Sequence, residues 1–478
     1  MNIFPYYIDG EARRSGQEKE IRNPASGEVF ARCWHARPED VKDAVIAGRR
    51  ASAEWGEATF QERAILLREI ARVLREHVHE LAELESREIG KLLKESLFVD
   101  IPLAAEVFEY YASFLETLEQ KTMESAFGRE EVLFDPYGVC GIFLPYNVPL
   151  MIFGYSAAAA LAAGNAVILK PSEYGQLSVL RLMGLIRSFD MPRGLVQVVT
   201  GEGGVIGDCL SRSEVDLISF TGSRKTAQRI IRNSADAPKK IMCELGGANV
   251  TAVWEDANQD AAVQNLLASS FLKQGQICIG TSIALIEEKI YDRFIEEFCR
   301  RIDLIPQGDP FLPETGLGPL PSSEYAAAVD RRVRECLRRH GGRLLRGGVW
   351  EKESGLVYPP TVIEVPHVVY EEFFAPVVLV KRCSRQEIEP AIQANPSGLV
   401  LQLWTADAGR ARCIARRARY GTVWINTFAQ MNAQTPFGGQ RTSGWGRNLG
   451  KAGFFEYVQL KHIGYGRQSS PVEGWFGV

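Results

Sequence analysis

Between residues 139 and 245 short apolar runs alternate with amphipathic stretches along the chain. The runs at 139–143, 166–169, 195–199, 217–220 and 241–245 are too short for buried helices and rich in β-branched residues, so each predicts a strand. Helical spacing fills the gaps at about 156–163, 176–189, 203–211 and 225–234. Strand–helix alternation with turn residues at each switch predicts a parallel, doubly wound sheet, whose ligands bind beyond the carboxyl ends of the strands. Upstream, Ile65, Leu66, Ile70, Val73, Leu74, Val78, Leu81 and Leu84 fall on one face of a single long helix over 61–88. A second helical region covers 96–120, and 129–134 reads as a hairpin leaving the main body. A second α/β unit runs from about 282 to 426, with strands at 282–286, 374–380, 400–404 and 422–426. A glycine-punctuated loop, a strand candidate at 454–463 and a polar tail follow.

One charge-free stretch, 150–169, is long enough to cross a bilayer. It is mostly alanine and is interrupted by Gly154, Gly164 and Asn165, which predicts buried helix, turn and buried strand. The composition of the 478 residues, 46% hydrophobic and 24% charged, is that of a soluble globular protein with a large core. A formal charge of −4 offers no field for capturing nucleic acid or an anionic membrane. Nine cysteines without a Cys-x-x-Cys, and no basic-then-apolar start, point to reduced thiols in the cytoplasm. The Arg-rich segments 331–346 and 410–419 carry apolar residues at helical spacing and read as solvated helix faces. His77 and His79 point different ways on a helix, and no metal site is read.

Candidate chemistry gathers at strand ends. Phe220-Thr221-Gly222-Ser223 stands before a helix, where free amides attract a phosphate; a plain turn is an equal reading. Glu244, followed by Gly246 and Gly247, is a candidate base whose pKa burial would raise, or else a capping carboxylate. Lys170 and Glu173 can take ribose hydroxyls or form a solvated turn. Cys278 lies in a Gly-opened loop, Gly275-Gln276-Ile277-Cys278, where a substrate can reach its thiol. No histidine lies close by in sequence to act as its base.

Together these motifs resemble the aldehyde dehydrogenase superfamily over nearly the whole chain. Further matches are Asn23-Pro24-Ala25-Ser26-Gly27-Glu28, Pro145-Tyr146-Asn147-Val148-Pro149, Glu371-Glu372-Phe373-Phe374-Ala375-Pro376 and Pro436-Phe437-Gly438-Gly439. The resemblance implies a Cys278 thiolate that attacks an aldehyde carbon. The oxyanion is then held by the Asn147 amide and the Cys278 N–H, hydride leaves for a nicotinamide, and Glu244 activates the water that hydrolyses the thioester. It places Lys170 and Glu173 on the adenosine ribose, Phe220, Gly222 and Ser223 at the pyrophosphate turn, Glu372 on the nicotinamide ribose and Phe374 beside the nicotinamide. A carboxylate at 173 favours NAD over NADP. Ile152, Tyr155, Leu272, Ile277 and Met431 would line the substrate tunnel, which predicts a hydrophobic aldehyde, aromatic ones included. Lys273 near the mouth leaves a carboxylated semialdehyde open.

The implied architecture is a cofactor domain (1–122 and 139–245), a catalytic domain (246–442) and a β extension (123–138 and 443–478) that pairs subunits in a homodimer or homotetramer. Some positions depart from the family pattern. Tyr146 stands where Trp is frequent, Ala227 where Gly is common, Ile283 where Arg is frequent. Ser156 and Asn448 occupy places that hold a Lys and a Glu of a proposed proton path. A CoA-acylating relative is the enzymatic alternative, disfavoured by Glu244. The non-enzymatic alternative is an RNA-binding or structural protein using the Arg-rich helices.

Overall fold

The computed structural model describes residues 2–119, 121–125, 128–351 and 355–466. Its largest sheet has a parallel centre, ordered Lys240–Leu245, Leu217–Gly222, Val139–Leu144, Ala166–Pro171, Val196–Val198. The first of these strands in sequence, Val139–Leu144, lies in the middle, so the winding reverses there and a crevice opens beyond Leu144. Every residue of Val139–Leu144, Ala166–Pro171 and Val196–Val198 is buried, as a sheet covered on both faces requires. The two amino-terminal strands Tyr6–Ile8 and Glu11–Arg13 extend one edge in antiparallel fashion, and Gly444–Trp445 closes the other against Lys240–Leu245.

The charge-free stretch forms the helix Pro149–Ala162, a turn at Gly164 (φ +96°) and the strand Ala166–Pro171. Pro149 opens the helix at a position that needs no N–H, and all its residues but Met151 are buried. Gly154 makes this packing possible: a Cβ there would stand 2.7 Å from Cα of Ala104 in the neighbouring helix Ile101–Thr117. Buried Arg63 donates to the carbonyls of Ala162 and Gly56, closing the helix end. Among the described residues, no helix is long and apolar enough to cross a membrane.

The second sheet is ordered Arg343–Arg346, Thr361–Glu364, Val377–Cys383, Ile283–Glu287, Val250–Val253, Val400–Trp404, Thr422–Ile425, parallel throughout except for its first strand. It begins earlier than the sequence reading has it, because the four-residue strand Val250–Val253 follows directly on the Gly246-Gly247 turn. The strand expected at 374–380 starts at Val377, since Phe374 (φ +53°) cannot enter a ladder.

Three further differences have local causes. The helix read over 61–88 is two, Phe60–Glu76 and Val78–Ile89, because His77 (φ −106°, ψ 17°) breaks the backbone without breaking the apolar period. The strand read at 454–463 is a short helix, Gly450–Phe455, followed by the strand Val458–Gly466. That strand pairs antiparallel with Gly128–Pro136, which pairs with Lys121–Glu124. Gly444–Trp445, assigned from sequence to this extension, serves the cofactor sheet instead. Gly444 (φ +116°) lets it approach so closely that a Cβ would meet the Cys243 carbonyl at 1.9 Å. Residues 126–127 and 467–478 of the proposed extension lie outside the described residues.

The Arg-rich segments are ion-paired surface elements. Arg334, Arg343 and Arg346 bind Asp330, Glu364 and Asp303, and Arg410 binds Asp256 and Asp407.

Candidate active site

Asn147 follows the central strand directly, at the crevice where the winding reverses. Its buried side-chain amide donates to the Gln276 carbonyl at 2.7 Å, and an amide nitrogen carries a second N–H. Cys278 is brought opposite by an unusual turn. Lys273 (φ 53°, ψ 36°), Gln274 (φ 57°, ψ 34°) and Gly275 (φ 68°) are successive left-handed residues. The two that are not glycine cost about 1–2 kcal/mol each. Gly275 is obligatory, because a Cβ there would lie 2.1 Å from the Ala375 carbonyl oxygen. Buried carboxylates offset the strain: Glu95 accepts from the Lys273 N–H at 2.8 Å, and both oxygens of Asp100 lie 2.7 Å from the Lys273 ammonium. Lys273 is therefore not a free cation at a tunnel mouth.

Burial pushes the Cys278 thiol up to about 12, Glu244 and Glu372 add to the rise, and the backbone N–H groups of Cys278 and Ile279 oppose it. Glu244 stands at the carboxyl end of Lys240–Leu245. Its Oε2 accepts from the Gly439 N–H at 3.3 Å, while Oε1 is buried with no hydrogen-bond partner among the described residues. Burial raises its pKa well above the ordinary range, against the pull of Arg447 and of the Gly439 N–H. Gly438 makes room for this carboxyl, since a Cβ there would be 2.5 Å from Oε1. The Pro436–Gly439 motif is thus the wall of this carboxyl, a role its sequence pattern alone does not disclose.

Gly246 and Gly247 seat a second carboxylate. A Cβ on Gly246 would come within 2.3 Å of both oxygens of Glu372, which also accepts from the Gly247 N–H. Burial lifts Glu372 to about 7, against the pull of that N–H and of Arg332. Arg332 donates to the carbonyls of Glu372 and Phe373 and to the Glu371 carboxylate, so one member of the Arg-rich helix fixes this loop. Tyr325 donates to the carbonyl of Phe374 at 2.8 Å and holds its left-handed backbone. Tyr146 sits among Tyr174, Tyr325 and Phe374, with ring centroids 6.3–6.4 Å away, and donates to Gln276 Oε1 at 2.6 Å.

On the other side of the sheet end, Ser223 caps the helix Arg224–Asn233, accepting from the Thr226 N–H at 3.2 Å. Phe220 packs over Gly222, where a Cβ would lie 2.7 Å from its ring. Lys170 is buried, its ammonium 2.9 Å from the Pro171 carbonyl and 3.7 Å from Glu173; burial lowers its pKa, against the pull of Glu173.

Ile152, Tyr155, Ile277 and Met431 belong to the same extended apolar core as Cys278. Tyr155 is buried, and its hydroxyl has no hydrogen-bond partner among the described residues, whereas Leu272 is 38% exposed. Ser156 accepts from the Ser219 hydroxyl at 3.3 Å, and buried Asn448 joins Phe437 through reciprocal backbone bonds of 2.8 Å. Neutral groups thus stand where the family pattern has a charged pair.

The model of the aldehyde dehydrogenase family matches residues 11–463. The chain belongs to the aldehyde dehydrogenase family. Among relatives of this family, betaine aldehyde dehydrogenase of Bacillus subtilis (strain 168) is 37% identical, over 98% of this chain and 99% of its own. The human 2-aminomuconic semialdehyde dehydrogenase is 32% identical, over 96% and 97%. A crystal structure of betaine aldehyde dehydrogenase from Staphylococcus aureus in complex with NAD+ is similar at a TM-score of 0.95 and 33% identity, covering 99% of this chain and 96% of that one. Another structure of that enzyme, a point mutant also with NAD+, contains a BME-modified cysteine. The expectation of a hydrophobic or aromatic aldehyde finds no support in these names.

Proposed function

We propose that this family member oxidises an aldehyde to its carboxylic acid with NAD, through a thioester on Cys278 that water hydrolyses. The observation that carries the reading is Glu244. A buried carboxyl with a raised pKa and one open oxygen, near a half-buried thiol, is arranged to move protons rather than to bind a cation. The thiol proton is lost to solvent as sulfur bonds the aldehyde carbon, which leaves the carboxylate free for the later step. The oxygen that becomes negative is held by the free N–H of the Asn147 amide and the Cys278 N–H. After oxidation to the thioester, Glu244 draws a proton from the attacking water, and the acid leaves as the thiol re-forms.

The residues present fit NAD: Lys170 and Glu173 for the adenosine ribose, the amides opening Arg224–Asn233 beside Phe220, Gly222 and Ser223 for the pyrophosphate, Glu372 and Phe374 at the nicotinamide end. When bound, the cofactor supplies the hydride acceptor. Glu173 accepts from ribose hydroxyls and repels a 2′-phosphate, which favours NAD over NADP.

For the substrate, Ile152, Tyr155, Ile277 and Met431 offer apolar and aromatic surface, and Lys273 is locked to Asp100. This supports an aldehyde with an uncharged or cationic tail over a carboxylated one. An aromatic face also suits a quaternary ammonium, the group betaine aldehyde carries. Glu244 favours hydrolysis over transfer to CoA. The test is NADH formation with betaine aldehyde, hexanal, benzaldehyde and a dicarboxylic semialdehyde, each with and without CoA, and mass spectrometry of enzyme quenched in turnover. An acyl group on Cys278 and free acid as product are expected; acyl-CoA, or no adduct at Cys278, overturns the reading.

The same reading divides the chain into the cofactor domain, catalytic domain and β extension described above, with Gly444–Trp445 moved to the cofactor sheet. The extension exposes Met123, Leu460 and Tyr465 and is proposed to pair with a second copy, which light scattering would detect. Nine unpaired cysteines favour a reducing compartment, the cytoplasm.

A further inference from the structure

Asn147 is tied into a closed ring of contacts. Its backbone carbonyl accepts from the Lys91 ammonium at 3.3 Å, and that ammonium also binds Asp100 at 2.9 Å. Asp100 binds the Lys273 ammonium at 2.7 Å. The Lys273 carbonyl accepts from the Gln276 N–H at 2.9 Å, and the Gln276 carbonyl accepts from the Asn147 side-chain amide at 2.7 Å. The ring leaves Asn147 through its main chain and returns to it through its side chain, so it fixes both the residue and its rotamer. Lys91, Asp100, Lys273, Gln276 and Asn147 are all buried.

The ring also joins the two sources of oxyanion donors, which come from different sheets. Asn147 leaves the cofactor sheet, while Cys278 follows the left-handed turn that leads into Ile283–Glu287 of the other sheet. Asp100, in the turn that enters the helix Ile101–Thr117, is the only carboxylate in the ring. Glu85 supports the arrangement from outside: it binds the Lys91 ammonium and accepts from the Leu150 N–H at 3.3 Å, at the start of the helix after Asn147. Burial pushes the Asp100 carboxyl up, but Lys273 and Lys91 outweigh it and hold the group below the ordinary carboxylate range.

We infer that Lys273, acting through Asp100 and Lys91, is a positioning residue that sets the separation between the Asn147 amide and the Cys278 N–H. It does not touch the reacting atoms. The inference rests on the roles proposed above for Asn147 and Cys278.

The decisive variant is Lys273→Met, which keeps the stem and leaves Asp100 paired with Lys91. If it does not fold, Lys273→Gln, which keeps a donor but no charge, takes its place. Displacing a catalytic donor by about 1 Å costs about 10²-fold. The expected result is a fall of that order in kcat for aldehyde oxidation, with NAD affinity unchanged and the rate of Cys278 alkylation by iodoacetamide unchanged. Alkylation needs the sulfur but no oxyanion donor, so a general loosening of the site would move both rates. Lys273→Arg, which restores the charge, should recover most of the loss. Unchanged kcat in Lys273→Met, or a parallel fall in alkylation, overturns the inference. Failure of the wild-type protein to oxidise any aldehyde would instead overturn the function proposed above.

Discussion

Replacing Glu244 by Gln isolates proton acceptance from everything else the side chain does. The amide keeps the shape, and its oxygen can still accept from the Gly439 N–H. The wall formed by Gly438 is unchanged, so the substitution removes only the ability to take a proton at the open oxygen. A positioned general base contributes about 10²–10⁴-fold, which at about 1.36 kcal/mol per factor of ten is about 3–5 kcal/mol of barrier. That loss should fall on thioester hydrolysis, where water is the nucleophile, more than on attack by sulfur. Rapid mixing with NAD and aldehyde should therefore give a burst approaching one NADH per active site, followed by a steady state slowed by about 10²-fold or more. Stability provides a second readout. Burial raises the folded carboxyl's pKa above that of the unfolded chain. As pH climbs past the unfolded value the unfolded state ionises first, and stability falls until the folded group ionises. Glu244→Gln should therefore raise the melting temperature at neutral pH, with the gain vanishing below about pH 4, where both states are protonated. An undiminished steady state would refute the assignment of Glu244, and a lower melting temperature at neutral pH would refute the electrostatic account.

Asn147→Ala should lower kcat by about 10²–10³-fold, the usual loss of one oxyanion donor, with thiol alkylation at Cys278 retained. Cys278→Ala should abolish oxidation and leave NAD binding intact by calorimetry; residual turnover would exclude the thioester. NAD affinity should tighten as pH rises through about 7, because an ionised Glu372 accepts from ribose hydroxyls more strongly than the neutral acid does; Glu372→Gln should flatten that profile. Gly275→Ala should give little folded protein in a soluble-expression and melting assay, since its Cβ would lie 2.1 Å from a backbone oxygen.

The cofactor sheet was legible because each of its parallel strands is an apolar run bounded by turn residues, and burial on both faces leaves no polar alternation to confuse the pattern. Val250–Val253 was hidden because four residues after a Gly-Gly turn merge with the preceding strand. The break at His77 was hidden because a helix can bend without losing its 3.6-residue period. Glu244 stood out at a strand end and Cys278 in a Gly-opened loop, while Asn147 was marked by the family resemblance of its motif. The ring behind Asn147 did not stand out, because Asp100 meets Lys273 across 173 positions of sequence, and local pattern carries no trace of such a pairing. Lys273 shows the cost: read locally it is a cation near the mouth, and in three dimensions it is a buried strut. The role of Gly438-Gly439 was invisible for the same reason, although the motif itself was plain.

The bond between Gly439 and Glu244 spans 195 positions, and the strand bearing Glu244 is sealed by Gly444–Trp445. During synthesis, then, the strand bearing Glu244 emerges from the ribosome long before the segment that walls its carboxyl. A nascent chain stalled before Gly438 would carry Glu244 without its wall, as an ordinary solvated carboxylate.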